Sequence, residues 1–181
     1  YNLYKTGMAQ GYAPDQPIPF SHKLHAGQYN IPCMYCHVGA DKSRHATVPS
    51  LNICMNCHLV VKPESPHIQK LKQHYNEKKQ PIEWVKVNDL PDHVMFSHKR
   101  HVQKGVACET CHGAVETMDV VRQDQPLTMG WCLDCHRGIS TPPAVAKRQE
   151  EDLAAAPTSL DGKELPLSHR MGGFSKNGVA P

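Results

Sequence analysis

The chain has 181 residues, a formal charge of +3 with histidine neutral, and 39% hydrophobic and 6% aromatic residues. That length suits one ordinary domain, but the apolar supply is thin for a conventional core. A mean hydropathy of −0.53 and the lack of a long apolar run exclude a membrane span within the sequence. The charge is too mild to argue for nucleic acid, and the cysteine density is below that of a disulfide-stapled scaffold. What stands out is the pairing of 8 cysteines with 13 histidines.

Residues 1–17 read as an N-terminal arm, and because the chain opens at Tyr1 rather than Met, an anchor or signal segment upstream is expected. Residues 18–60 then carry Phe20-Ser-His-Lys-Leu-His25, followed by Cys33-x-x-Cys36-His37 and Cys54-x-x-Cys57-His58. A connector over 61–93 holds a helix signal, with Ser65 as cap, Pro66 in the first turn, and an apolar stripe of Ile68, Leu71 and Tyr75. Its second half, Pro81 to Val87, reads as a short strand or an extended strap.

Residues 94–138 repeat the first block: Phe96-Ser-His-Lys-Arg-His101, then Cys108-x-x-Cys111-His112 and Cys132-x-x-Cys135-His136. From 139 to 181 a polar C-terminal helix and an extended tail are expected, the tail either free or laid on a partner.

Every cysteine thus belongs to one of four C-x-x-C-H motifs. Two thiols at this spacing reach the two vinyl groups of a haem, and the next histidine ligates the iron from the proximal side. Zinc is the main competitor, since the paired cysteines fit zinc-ribbon spacing. Zinc gives no reason for a histidine after every second cysteine, a coincidence on the order of 10⁻⁵ by composition. A thioredoxin-like reading lacks the alternating strands and helices it needs. The sequence therefore predicts four covalent c-type haems on Cys33, Cys36, Cys54, Cys57, Cys108, Cys111, Cys132 and Cys135, with His37, His58, His112 and His136 as proximal ligands.

Four irons leave four further axial positions. The duplicated Phe-Ser-His elements offer His22, His25, His98 and His101, with His22 and His98 serving haems of their own repeats and His25 and His101 reaching neighbouring ones. His45 is the first substitute, His93 a weaker one, and His67, His74 and His169 are expected in solvent. Met55, Met95, Met118 and Met129 are alternative sulfur ligands, more commonly packing groups. Trp84 and Trp131 read as packing or interface anchors. The fold class follows: mainly α with extensive loops and little β, wrapped on porphyrins that form the interior the side chains lack.

Several linked segments resemble the multihaem cytochrome c subunit of bacterial alternative complex III. They are Gly11 to Gly27, Val48 to His58, Trp84 to Pro91 and Leu127 to Arg137. The Phe-x-His-x-x-His device is also shared with the c3 and c7 multihaem cytochromes. This resemblance implies a subunit on the periplasmic side of the inner membrane, tethered through an N-terminal helix. It implies partners as well: an iron–sulfur subunit as donor, a monohaem cytochrome or oxidase as acceptor, and quinol-binding membrane subunits. The usual family member carries five haems, whereas four attachment motifs are present here. Serial one-electron transfer is the expected role, with no catalytic residue on this chain and no nucleic acid partner. A free or filament-forming carrier of c3/c7 type is the alternative. A nitrite-reductase-like enzyme is weakest, because those use a lysine-ligated variant motif and all four motifs here end in histidine.

Overall fold

The computed structural model describes residues 9–142, together with 159–160 and 163–164. The expected C-terminal helix and most of the tail, His169 included, lie outside the described residues. The architecture is short helices in long loops, as the fold class read from the sequence requires. In chain order these are a π-helical turn Lys23–Gln28, then α1 Cys33–Cys36, α2 Leu51–His58 and α3 Pro66–Gln73. A second π turn His74–Lys78 extends α3, and α4 His98–Gln103, α5 Cys108–His112, a 3-10 turn Val115–Thr117 and α6 Met129–His136 follow. The described β structure is one antiparallel pair, β1 Ser159–Leu160 with β2 Lys163–Glu164.

Side chains alone bury little. The cluster is Ile18, Met55, Leu71 and Ile82, with Leu51, Cys54 and Trp84 packed on it. This cluster docks the connector onto the first repeat. Leu71 is the buried member of the α3 stripe, Ile68 is half-buried and Tyr75 is exposed. Ser65 occupies the N-cap of α3 without a side-chain cap bond; its carbonyl accepts from Gln69 N–H at 2.8 Å instead. Residues 81–87 form an extended strap rather than a strand. Gln16 holds it by donating Nε2–H to the Val85 carbonyl and accepting Val85 N–H, both at 2.9 Å.

The two repeats clasp one another. The loop after α1 receives α4: His98 N–H donates to the Arg44 carbonyl at 3.1 Å and Lys99 N–H to the Ser43 carbonyl at 3.1 Å. In return the segment after α5 receives the first π turn, with Lys23 N–H donating to the Met118 carbonyl at 3.0 Å. Ser21 Oγ–H and Lys23 Nζ reach Asp119 at 2.7 and 3.2 Å. Lys23 is therefore ion-paired. Gly27 marks how close this approach is, since a Cβ there would stand 2.3 Å from the Glu116 carbonyl oxygen.

Candidate haem-binding sites

The helices that carry the cysteines explain their spacing. Positions i, i+3 and i+4 lie on one helical face, so the two thiols and the following histidine of each motif are presented together. Cys54, Cys57 and His58 share α2, Cys108, Cys111 and His112 share α5, and Cys132, Cys135 and His136 share α6. The first motif is shorter: Cys33 and Cys36 form α1 and His37 is its C-cap. Helix α6 starts at a true cap, Thr128 Oγ1 accepting Trp131 N–H at 3.3 Å. No disulfide joins any of the eight cysteines. Burial raises Cys36, Cys54, Cys108, Cys111, Cys132 and Cys135 above the ordinary thiol range, Cys111 to about 11, so these thiols are protonated at neutral pH.

The histidines are arranged in facing pairs. His22 faces His37 with ring centroids 6.5 Å apart and planes 2° from parallel. His98 faces His112 in the same way, at 6.3 Å and 4°. His25 meets His58 at 6.1 Å and 63°, and His101 meets His136 at 6.0 Å and 72°. Each pair joins one motif histidine to one histidine of a Phe-Ser-His element.

The spacing tests whether such pairs suit a metal. A metal–imidazole bond is about 2 Å and a ring nitrogen sits roughly 1.1 Å from its ring centre, so two histidines on opposite sides of one metal have centroids roughly 6.3 Å apart. All four pairs fall at this value. The gap is too wide for direct stacking and the right width for one ion on the axis between the rings. Among the described residues no three or more His, Cys, Asp or Glu side chains converge on one point in the manner of a metal cluster. Each pair of imidazoles, with the two thiols of its motif, is a donor set that would fit a c-type haem.

Hydrogen bonding fixes which nitrogen is available. A carbonyl oxygen only accepts, so an imidazole nitrogen beside one carries the hydrogen. Nδ1 of His37 lies 2.7 Å from the Thr47 carbonyl, that of His25 2.8 Å from Ser21, and that of His101 2.9 Å from Ser97. His58 and His98 donate likewise to Val61 and Arg44, each at 3.1 Å. In these five rings Nε2 keeps its lone pair for a metal, the usual outer-shell arrangement for a histidine ligand. His22 differs: its Nδ1 is buried without a partner. Burial, then the neighbouring His37 and His25, push its pKa down to about 4. Burial also lowers His98, His112 and His136. At neutral pH these rings are uncharged, the form that binds a metal.

The other histidines among the described residues take no part in a facing pair. His45, His67 and His93 are exposed, His45 standing close enough to His98 to lower its pKa. His74 corrects the sequence expectation of a solvated ring, because the π turn folds it inward, half-buried with Nδ1 enclosed and unpartnered. Met55 and Met118 are buried packing groups, while Met95 and Met129 are exposed. Sequence reasoning passed over Phe20 and Phe96 as more than motif markers. Phe20 lies edge-on to His22 and parallel to His25, and Phe96 does the same with His98 and His101. Trp84 packs edge-on to Phe20 at 6.4 Å.

Residues 94–152 match the family of cytochrome c7 and related cytochrome c. Over 98 residues, 54% of this chain, the sequence is 33% identical to the menaquinone reductase multiheme cytochrome c subunit of Nitratidesulfovibrio vulgaris (strain Hildenborough). The chain spans 46% of the length of that relative. Both similarities are to multihaem c-type cytochromes, whose cofactor is covalent haem c. No helix among the described residues is long and apolar enough to cross a membrane.

Proposed function

We propose that the chain is a tetrahaem electron-transfer subunit of a membrane-bound, quinone-reactive respiratory complex, working on the periplasmic side of the inner membrane. One observation carries the haem count and the ligands: four C-x-x-C-H motifs, each with its histidine 6.0–6.5 Å from a ring of a Phe-Ser-His element. The proposed axial pairs are His22/His37, His25/His58, His98/His112 and His101/His136, two per repeat, with the repeats at 18–60 and 94–138. Haem c, when bound, supplies a one-electron ferric/ferrous couple. Burial keeps His22, His98, His112 and His136 uncharged, backbone carbonyls orient five of the eight rings, and the pairs would fill both axial positions, so no open site for substrate is expected on this chain.

The quinone-linked placement is supported by the relative's name and by the resemblance to alternative complex III. The proposed partners are an iron–sulfur subunit, a monohaem cytochrome or oxidase, and quinone-binding membrane subunits. A chain of bis-histidine haems carries electrons either way, so whether quinol is oxidised or quinone reduced follows from the potentials of those partners. The c7 match favours a second reading, a free periplasmic carrier. Native purification decides. The expected outcome is a membrane-derived complex in which this chain stains for covalent haem and gives four haems per polypeptide by pyridine haemochrome. Recovery as a lone soluble periplasmic protein would overturn the complex-subunit reading, and a count other than four would overturn the haem assignment.

A further inference from the structure

The four facing pairs are of two kinds, and each repeat holds one of each. The planes are nearly parallel in His22/His37 and His98/His112, at 2° and 4°, and crossed in His25/His58 and His101/His136, at 63° and 72°. The geometry points to Phe20 and Phe96 as positioning residues that impose this division and so sort the haems into two electronic classes. The inference rests on the axial pairs proposed above.

Each phenylalanine touches both histidines of its element in opposite ways. Phe20 meets His22 edge-on at 4.8 Å and 85°, and stacks on His25 at 4.4 Å and 24°. Phe96 meets His98 at 4.8 Å and 86°, and stacks on His101 at 4.6 Å and 29°. One flat ring therefore turns the two imidazoles of an element steeply away from each other. Edge-to-face and offset-stacked contacts are the two favoured aromatic arrangements, so both orientations are held at once. The stacked histidines are locked a second time by their Nδ1 bonds to the Ser21 and Ser97 carbonyls. Across the gap, His37 and His58 are fixed independently by Thr47 and Val61. In the first repeat both faces are thus pinned, and the interplanar angle is a built feature of the chain.

The angle matters to a low-spin ferric ion. Its unpaired electron occupies one of two d orbitals that lie between the porphyrin plane and the axial ligands, and each imidazole raises the orbital its π system overlaps. Parallel rings act on the same orbital and split the pair widely. Crossed rings raise both and leave them nearly degenerate. The first case gives a rhombic EPR spectrum, the second a strongly anisotropic one with a single large-g feature. The arrangement also has an order along the chain. The Nδ1 atoms of His37 and His98 lie against two carbonyls of one short loop, those of Thr47 and Arg44. The two parallel-plane sites therefore adjoin across the repeat boundary, and an electron crossing between repeats would pass between like centres.

Low-temperature EPR of the fully oxidised holo-protein tests this. The expected spectrum has rhombic and strongly anisotropic low-spin signals in equal spin amounts. Phe20→Leu is expected to shift one signal of each class, Phe96→Leu the other two, with the covalent haem content unchanged and Phe20→Tyr restoring the native spectrum. A merely structural phenylalanine would leave the g values where they were. A single low-spin class in the native protein overturns the inference without any variant, as do Phe20→Leu and Phe96→Leu spectra identical to the native one. A high-spin ferric signal in the native protein is a different failure: it removes the axial pairs themselves.

Discussion

The two repeats hold their histidines alike and are built differently around them. In the first, Ile18 and Met55 form an apolar cluster with Leu71 and Ile82 of the connector, beneath the second attachment helix. In the second, the buried apolar side chains are Met118 and Leu127, and the deepest side chain is polar. It is Gln123, which accepts Asp89 N–H at 3.0 Å and donates to the Gln125 carbonyl at 3.2 Å. The clasps differ too. Gly27 lets the Glu116 carbonyl approach the first element, whereas Gln103 at the equivalent place donates Nε2–H to the Asp41 carbonyl at 3.3 Å. His98 has the Arg44 carbonyl for its Nδ1, while His22 has no partner. Ring spacings nevertheless agree between repeats within tenths of an ångström. The site geometry is therefore set by the short cysteine helices and the phenylalanines, and the apolar cluster is an addition that one repeat has and the other lacks.

Withholding haem should have the largest effect on both repeats. Chain made without haem attachment is expected to lose its ordered tertiary structure, because cofactor binding supplies the folding free energy that so few buried side chains cannot. Far-UV circular dichroism and amide exchange would show α4–α6 unprotected, with residual protection confined to the amides around Met55 and Leu71. A protected second repeat without haem would contradict this. Next in size, His25→Ala and His101→Ala should each keep four covalent haems and turn one site high-spin, to the same extent in either repeat. Unchanged optical and EPR spectra would remove that histidine from the ligand set.

A smaller effect separates the repeats. Met55, 2% exposed, and Leu133, half-buried, hold equivalent places between the cysteines of their motifs. Met55→Ala is expected to cost about 2–5 kcal/mol. Leu133→Ala should cost nearer ~1 kcal/mol, since less contact is lost. Urea unfolding of the holo-protein measures both, and equal losses would mean the cluster is not particular to the first repeat.

Acid tests His22 without a substitution. His22 has a folded pKa of about 4 against 6.5 unfolded, so between those values the unfolded chain binds more protons. Stability is then complete above about 6.5 and declines as pH falls towards about 4. Iron ligation acts in the same direction, because only the neutral ring binds. The urea midpoint should fall over this window, and a midpoint that rises on acidification would contradict the buried, neutral His22.

Much of this protein is readable along the chain. The attachment motifs, the duplication and the pool of histidines are visible because covalent haem chemistry demands fixed local spacings that short helices satisfy. The mainly helical, loop-rich class follows from the same chemistry and the thin apolar content. Other features are not local. His74 was read as solvated because nothing beside it in sequence shows that a π turn folds it inward. The 81–87 strap was ambiguous because Gln16, which holds it, is far away in the chain. Lys23 found Asp119 through the clasp between repeats. Which histidine faces which, at what angle, and which sites meet across the repeat boundary depend on long-range contacts such as His98 with Arg44 and Lys23 with Met118. The chemistry available at each site is written in residue type and spacing. How the sites are paired and turned is a property of the fold, because ring planes are set by carbonyls and aromatic faces that the chain brings together only on folding.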